Sequence, residues 1–518
     1  MTTSADPVSV PQSATRGLFR GTAANFVGAF VAMAVGFFTT PFFVHHLGSS
    51  AYGVYALVLV FTTAGYAGYL DFGLQGAVVR EASLFAAAGR WRDVGRVTAS
   101  GAAVLGAIGL GLGGLLIGLS SLLARDAFHV PVELRHSLVL ALRVLGFILV
   151  LQFPSLIGVA ALQLVHRWDL VMMLRTAALL GAVGAAAVLV ATRGGLLSLV
   201  VPVLMGQLIG VAATVFYAYR IVPQFDFRPW HATREHVRTL LGTGLLIFSA
   251  QGGLIVVANL DQVLIGAFVD ARTLGLYAIA SAPYYAVFAL YSISNSTVFA
   301  ASSHYKSHDD RPRIRALFFR GTRYSGTLVL VGATAAAIWG LPFIVAWTGR
   351  QYREAGILLT IWLLHWPVTA LTGIGWNMLA SLDRLGGAVR LSTLSAALNI
   401  AASVVLLHFW GARGVILGTV IAYVITGPIL IRLYLRAVGE SASAFLREVV
   451  APAYAAAACA GLVGLGLRLV LPTSLPVVVA AGAFTFAAGL VAAWTLAPPP
   501  DRMLLRRELR LKLRFAPG

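Results

Sequence analysis

Residues 21–44 read GTAANFVGAFVAMAVGFFTTPFFV, a run with no charged side chain. About 20 consecutive apolar residues in a helix cross the roughly 30 Å hydrocarbon core of a bilayer. Lipid offers no hydrogen-bond partners, so every backbone N–H and C=O in such a run must be satisfied within the segment, which dictates helix. Outward from this stretch the same signal recurs thirteen times, at roughly 53–70, 97–119, 138–161, 171–191, 196–219, 240–266, 274–299, 323–347, 356–380, 389–408, 414–432, 450–469 and 476–496. The expected fold class is therefore all-α: a polytopic membrane protein of about fourteen transmembrane helices.

Composition agrees. The chain is 59% hydrophobic and 11% charged, against about 25% charged in soluble domains, and its mean hydropathy is +0.85. Its 54 glycines suit helices that approach closely in a membrane. A net charge of +19 in a soluble protein would point to nucleic acid; here the cations are scattered through loops and no basic domain could receive a duplex, so no nucleic-acid partner is expected. The single cysteine, Cys459, excludes an intrachain disulfide and a CxxC metal site. No metal or cofactor is expected. The first fifteen residues are polar and lack the short apolar core of a cleavable signal, so the first helix reads as a retained span.

Alternate connections differ in positive charge. Of the 38 Lys and Arg residues, 28 fall on one side and 8 on the other, with Arg143 and Arg175 inside apolar segments. The positive-inside rule then places both termini in the cytoplasm of a multi-pass protein of the cell (inner) membrane. No connection exceeds about 20 residues, which leaves no room for a soluble catalytic domain and argues against an enzyme. After Pro498–Pro500, the tail alternates Leu with Arg and Lys. It reads as an interfacial segment on anionic lipid headgroups or as a topology anchor.

Two stretches echo each other. Ala51-Tyr52-Gly53-Val54-Tyr55-Ala56 follows the first span and Thr273-Leu274-Gly275-Leu276-Tyr277-Ala278 follows the seventh, at an offset of 222; Arg193-Gly194 and Arg413-Gly414 match at 220. A near-constant offset suggests duplication of a six-helix unit, and transporters place substrate between such halves. The expected organisation is an N-terminal tail (1–20), an N-lobe (21–220), a cytoplasmic linker (221–239), a C-lobe (240–436), two further helices (437–497) and a basic tail (498–518).

Leu47-Gly48-Ser49-Ser50-Ala51-Tyr52-Gly53-Val54-Tyr55, then Tyr69-Leu70-Asp71-Phe72-Gly73-Leu74 and Arg80, resembles the opening of Wzx-like polysaccharide and oligosaccharide flippases of the multidrug/oligosaccharidyl-lipid/polysaccharide (MOP) exporter superfamily. Asp261 with Leu264-Ile265-Gly266 and Gly275-Leu276-Tyr277 resembles the start of that family's second half. The resemblance implies two six-helix lobes around a central cavity plus two C-terminal helices. It also implies movement of an undecaprenyl-pyrophosphate-linked glycan across the membrane, with glycan assembly machinery as a partner class.

A polar cargo needs cations for its phosphates and hydrogen-bonding groups for its sugars. Arg143 and Arg175 are the candidates for the lipid diphosphate, because arginine stays charged and donates bidentately. The alternative is snorkelling to the nearer interface. Asp261 and His365 are candidates for proton coupling, and Gln251, Asn259, Asn295 and Asn377 are cavity candidates together with the amides Gln152, Gln207 and Asn399. Bridging between helices is the alternative for each amide, and a neutral histidine bonded between helices the alternative for His365. Pro367 implies a kink beside His365. Asp71 with Arg80, Arg167 with Asp169, and Asp383 with Arg384 are candidate cytoplasmic gate pairs, or solvated surface charge.

Gly109-x-Gly111-x-x-Gly114 matches the dinucleotide fingerprint, but it lies inside an apolar span with no preceding strand, and close helix packing accounts for it. No Walker A run occurs. The leading reading is a lipid-linked oligosaccharide flippase. A multidrug antiporter of the same superfamily would need acidic cavity residues; a membrane-embedded glycan polymerase or ligase would need larger loops; a peptidoglycan-precursor flippase would carry more arginine in the first helices.

Overall fold

A glycine interrupts each of the two longest helices. In the computed structural model of the chain, residues 12–62, 66–258, 260–296, 311–382 and 386–498 are described. Helix α1 runs Gln12–Val60 and is broken at Gly48 (φ 78°, ψ 166°). A later helix, Gly386–Val438, has 53 residues and is broken at Gly411 (φ 54°, ψ −134°). At 1.5 Å per residue it would run about 80 Å if straight, far beyond one membrane thickness. Glycine alone adopts positive φ without steric cost, so each break divides one long helix into two; in the later helix both pieces are long enough to span. No strand occurs among the described residues, and the protein is an all-α, multi-pass membrane protein. Ten described helices are long and apolar enough to cross a membrane, or eleven if a pair bent by 48°, Arg350–Thr369 with Gly373–Leu379, is one span. Each of the fourteen sequence segments falls on helix in whole or in greater part.

The remaining elements are α2 (Leu74–Ala87), α3 (Trp91–Leu122), α4 (Val132–Leu164), α5 (Trp168–Arg193), α6 (Leu196–Ile221), α7 (Arg234–Ala258), α8 (Leu260–Phe268), α9 (Ala271–Ser296), α10 (Arg311–Thr348), α11 (Arg353–Trp362), α12 (Gly373–Ser381), α13 (Gly386–Val438), α14 (Ala451–Val470) and α15 (Leu475–Leu496). Helix α2 was not expected from hydropathy, since Arg80 and Glu81 interrupt its apolar pattern. It forms because one face buries Leu74, Ala77, Val78 and Ala82, and because the Asp71 carboxylate accepts from the amides of Gly73 (3.0 Å) and Gln75 (3.3 Å) at its start.

The chain divides into two compact units, Met1–Gly275 and Leu276–Gly518. In the first, α3 lies along α4, where a Cβ on Gly113 would stand 2.4 Å from the Gly146 carbonyl oxygen and a Cβ on Gly146 would stand 2.7 Å from that of Gly113. Of the fingerprint-like glycines only Gly109 packs, against Phe153 and Leu149; Gly111 and Gly114 face open space. The connection after α6 docks on α3. The amide of Asp226 donates to Thr98 Oγ1 (3.0 Å), and the amide of Thr233 donates to Ser100 Oγ (3.1 Å). In the second unit, α14 and α15 pack on α10. Trp339 Nε1 donates to Thr485 Oγ1 (3.0 Å) and Arg468 donates to the Ile338 carbonyl (2.9 Å). Near the start of α10, Arg315 pairs with Glu440 and with Glu448 (3.1 Å).

Candidate functional site

Three helices of the first unit turn a polar stripe toward a common space. Helix α4 contributes Gln152, Ser155, Leu156 and Val159; α5 contributes Arg175, Ala178, Leu179 and Ala182; α6 contributes Val203, Gly206, Gln207, Gly210, Val211 and Thr214. Each set follows the i, i+3, i+4, i+7 spacing that places residues on one helix face. Gly68 and Gln75, from the segment around α2, complete the lining of a cavity of about 430 Å³, a size within the range of small-molecule sites.

Most hydroxyls and amides of the wall are already engaged. Ser155 Oγ donates to the Gln152 carbonyl (2.6 Å), Thr214 Oγ1 donates to the Gly210 carbonyl (2.7 Å), and Gln75 Nε2 donates to Gln163 Oε1 (3.3 Å). Two groups differ. Gln207 Oε1 is buried and accepts no hydrogen bond among the described residues. Among the described lining residues Arg175 is the one cation and none is acidic. The wall thus offers a charged donor fork and a free acceptor inside an apolar bundle, a combination that suits an anion joined to a hydroxyl-bearing group.

The other sequence candidates lie elsewhere. Arg143 is exposed on α4 and donates to Ser120 Oγ on α3 (3.3 Å); it does not line the cavity. Asp261 is buried in the first turn of α8. His365 is buried in the second unit, where Nε2 is hydrogen-bonded to Tyr284 OH (3.0 Å) and Nδ1 to Thr369 Oγ1 (2.9 Å). Trp362 stacks on Tyr284 beside it, with ring centroids 3.9 Å apart. Asn377 is half-buried on α12. Of the gate pairs, Arg167 and Asp169 are in contact (3.3 Å). Asp71 is turned to the start of α2, while Arg80 pairs with Glu81 (3.3 Å). Asn259, Asp383 and Arg384, the side chains of Gln251 and Asn295, and the tail at 499–518 lie outside the described residues. Gln152 and Gln207, read from sequence among several in-span amides, turn out to share one wall with Arg175; their positions on different helices gave no sign of it.

Comparison with known proteins adds a family and a fold. The profile of the family described as "Polysaccharide biosynthesis protein" matches residues 46–356. Among solved structures, the chain is similar to "Lipid II flippase MurJ, inward closed conformation", with TM-score 0.67 and 14% identity over 94% of this chain and 99% of that one. It is similar to an inward-facing multidrug resistance MATE family transporter of the MOP superfamily, with TM-score 0.63 and 11% identity over 81% and 96%. It is also similar to a MOP superfamily transporter from Pyrococcus furiosus, with TM-score 0.51 and 12% identity over 83% and 96%. At these identities the likeness is one of fold. No curated protein matches the sequence.

Proposed function

Since the chain belongs to the polysaccharide biosynthesis protein family and has the fold of MOP-superfamily transporters, we propose that it is a flippase that moves a lipid-linked oligosaccharide across the bacterial cytoplasmic membrane for envelope or surface glycan synthesis. The observation that carries this reading is the cavity between α4, α5 and α6, with Arg175 as its cation and no carboxylate among its described lining residues. A cationic drug would be repelled there. A diphosphate gains charge-assisted hydrogen bonds, and the amides and hydroxyls of the wall suit sugars. The cargo class is an undecaprenyl-pyrophosphate-linked glycan, supplied by glycan assembly machinery on the cytoplasmic side. The bias of 28 cations to 8 supports cytoplasmic termini. Arg175 is the diphosphate ligand in this reading, and Asp261 is the carboxylate that responds to protons.

The purified protein in proteoliposomes tests the reading. A fluorescent polyprenyl-diphosphate-linked saccharide in the inner leaflet is expected to become accessible to an impermeant quencher faster than in protein-free vesicles, and Arg175→Gln is expected to slow it. Equal rates with and without protein, in vesicles where orientation and incorporation are verified, reject the flippase assignment.

A further inference from the structure

Resting on the flippase reading above, we infer that Gln207 reads the first sugar of the cargo, with its Oε1 accepting a hydrogen bond from a sugar hydroxyl or N-acetyl N–H while Arg175 holds the adjoining phosphate. The argument begins with what each group can do. An arginine only donates and an ionised phosphate only accepts, so these two are complementary. An amide oxygen only accepts, so an ionised phosphate cannot satisfy Gln207 Oε1. That atom is buried and has no donor among the described residues, whereas Ser155, Thr214 and Gln75 spend their own donors on neighbouring oxygens. A buried acceptor without a donor is costly to keep; a ligand that brings a hydroxyl or an amide N–H into the cavity removes that cost.

The surroundings leave room for such a ligand. Gly206 and Gly210 neighbour Gln207 on this face of α6 and pack closely against Ala182 and Ala178 of α5, which sets α6 at short range from the helix that carries Arg175. The cavity of about 430 Å³ has room for about fourteen water molecules at roughly 30 Å³ each. A volume of this order is that of small-molecule sites, so one sugar with its phosphate fits, while a longer glycan and the polyprenyl chain must lie outside. The wall therefore discriminates at the sugar next to the diphosphate and is indifferent to the residues beyond it.

Binding to the full-length protein in lipid nanodiscs tests this. The probes are geranylgeranyl diphosphate alone and the same lipid carrying one glucose, galactose or N-acetylglucosamine on the diphosphate. For at least one hexose, the sugar is expected to tighten wild-type binding about tenfold, the usual scale of satisfying one buried acceptor. Gln207→Leu and Gln207→Met are expected to lose that gain and keep the affinity for the bare diphosphate; Arg175→Gln is expected to weaken both. Single-deoxy analogues check the contact on the wild type, since removal of the matched hydroxyl should cost the same tenfold there and nothing in Gln207→Leu. A sugar gain that persists in both Gln207 variants, or no gain for any hexose in wild type, overturns the assignment and leaves the flippase reading standing. Wild-type protein that binds neither lipid overturns the flippase reading, and this assignment with it.

Discussion

Gly53 and Gly275 stand against each other in a reciprocal contact. A Cβ on Gly53 would lie 1.9 Å from the Ala271 carbonyl oxygen, and a Cβ on Gly275 would lie 1.9 Å from the Ser49 carbonyl oxygen. Adding 222 to 49 and 53 gives 271 and 275, so the contact maps onto itself under the offset that relates the two sequence echoes. The preceding breaks match as well: Gly48 interrupts α1, and its counterpart Asp270 separates α8 from α9. The glycines of the echo at 53 and 275 therefore stand where two backbones touch.

Replacement of either glycine by alanine should therefore be severe, and equally so. The clash is with backbone oxygen, which cannot rotate away as a side chain can. Overpacking costs about 1–3 kcal/mol in ordinary cores and more where the neighbour cannot yield. We expect Gly53→Ala and Gly275→Ala each to destabilise by about 3 kcal/mol or more, seen as lowered melting temperature and yield in detergent. Gly181→Ala on α5 is the control, since nothing lies within 4 Å of its Cβ position, and alanine there should be neutral or stabilising by up to about 1 kcal/mol. A mild Gly275→Ala would deny the reciprocal contact.

Arg175 and Arg143 should separate in function. Both were diphosphate candidates on sequence grounds, yet only Arg175 lines the cavity, while Arg143 bonds Ser120 on the neighbouring helix. Surface glycan export at matched protein levels is expected to fall at least tenfold in Arg175→Ala, to recover in part in Arg175→Lys, and to change less than threefold in Arg143→Ala, given that one charge-assisted hydrogen bond is worth roughly 1.5–3 kcal/mol. Normal export in Arg175→Ala would remove it from the phosphate site.

The helices themselves were legible because lipid leaves an apolar run no alternative. What was not legible follows from tertiary context. Helix α2 carries Arg80 and Glu81 in its middle, so hydropathy passes over it, and its stability comes from a buried face that single-residue averages do not register. The Arg193-Gly194 and Arg413-Gly414 echo does not fall on equivalent turns. The α5–α6 turn uses Gly194 and Gly195 at positive φ, whereas the break in α13 is at Gly411, with Gly414 inside the helix. The cavity was half legible. Sequence marks Arg175, Gln152 and Gln207 as polar residues in apolar spans, but three helices must be packed before their stripes meet.

His365 should prove structural. Both ring nitrogens are engaged, by Tyr284 OH and Thr369 Oγ1, and the ring is buried among Tyr284, Trp366 and Tyr423. His365→Phe leaves two hydroxyls without this partner and is expected to cost about 1–3 kcal/mol of stability, with the pH profile of transport unmoved. Asp261, buried at the start of α8, is the group whose replacement by Asn should flatten that profile. A displaced profile in His365→Phe, with Asp261→Asn unchanged, would exchange the two roles.

The connection between α6 and α7 should be held by an acid-sensitive clasp. Burial raises the Asp226 carboxyl, but the hydrogen bond with His231, the Arg228 amide (2.9 Å) and the positive charges of both residues outweigh it, so the group sits below its ordinary value of 3.8. A carboxyl depressed in the folded state contributes stability above its unfolded pKa and loses it as pH falls through the folded one. Between pH 8 and 5 the clasp is therefore fully formed with respect to Asp226, and it is lost only below about pH 4. Hydrogen exchange of the amides at 226 and 233, which dock on Thr98 and Ser100 of α3, should show an opening free energy that falls below about pH 4. Asp226→Asn should open those amides at neutral pH and remove the acid dependence. Unchanged protection in Asp226→Asn would show that Thr98 and Ser100 hold the connection without the carboxylate.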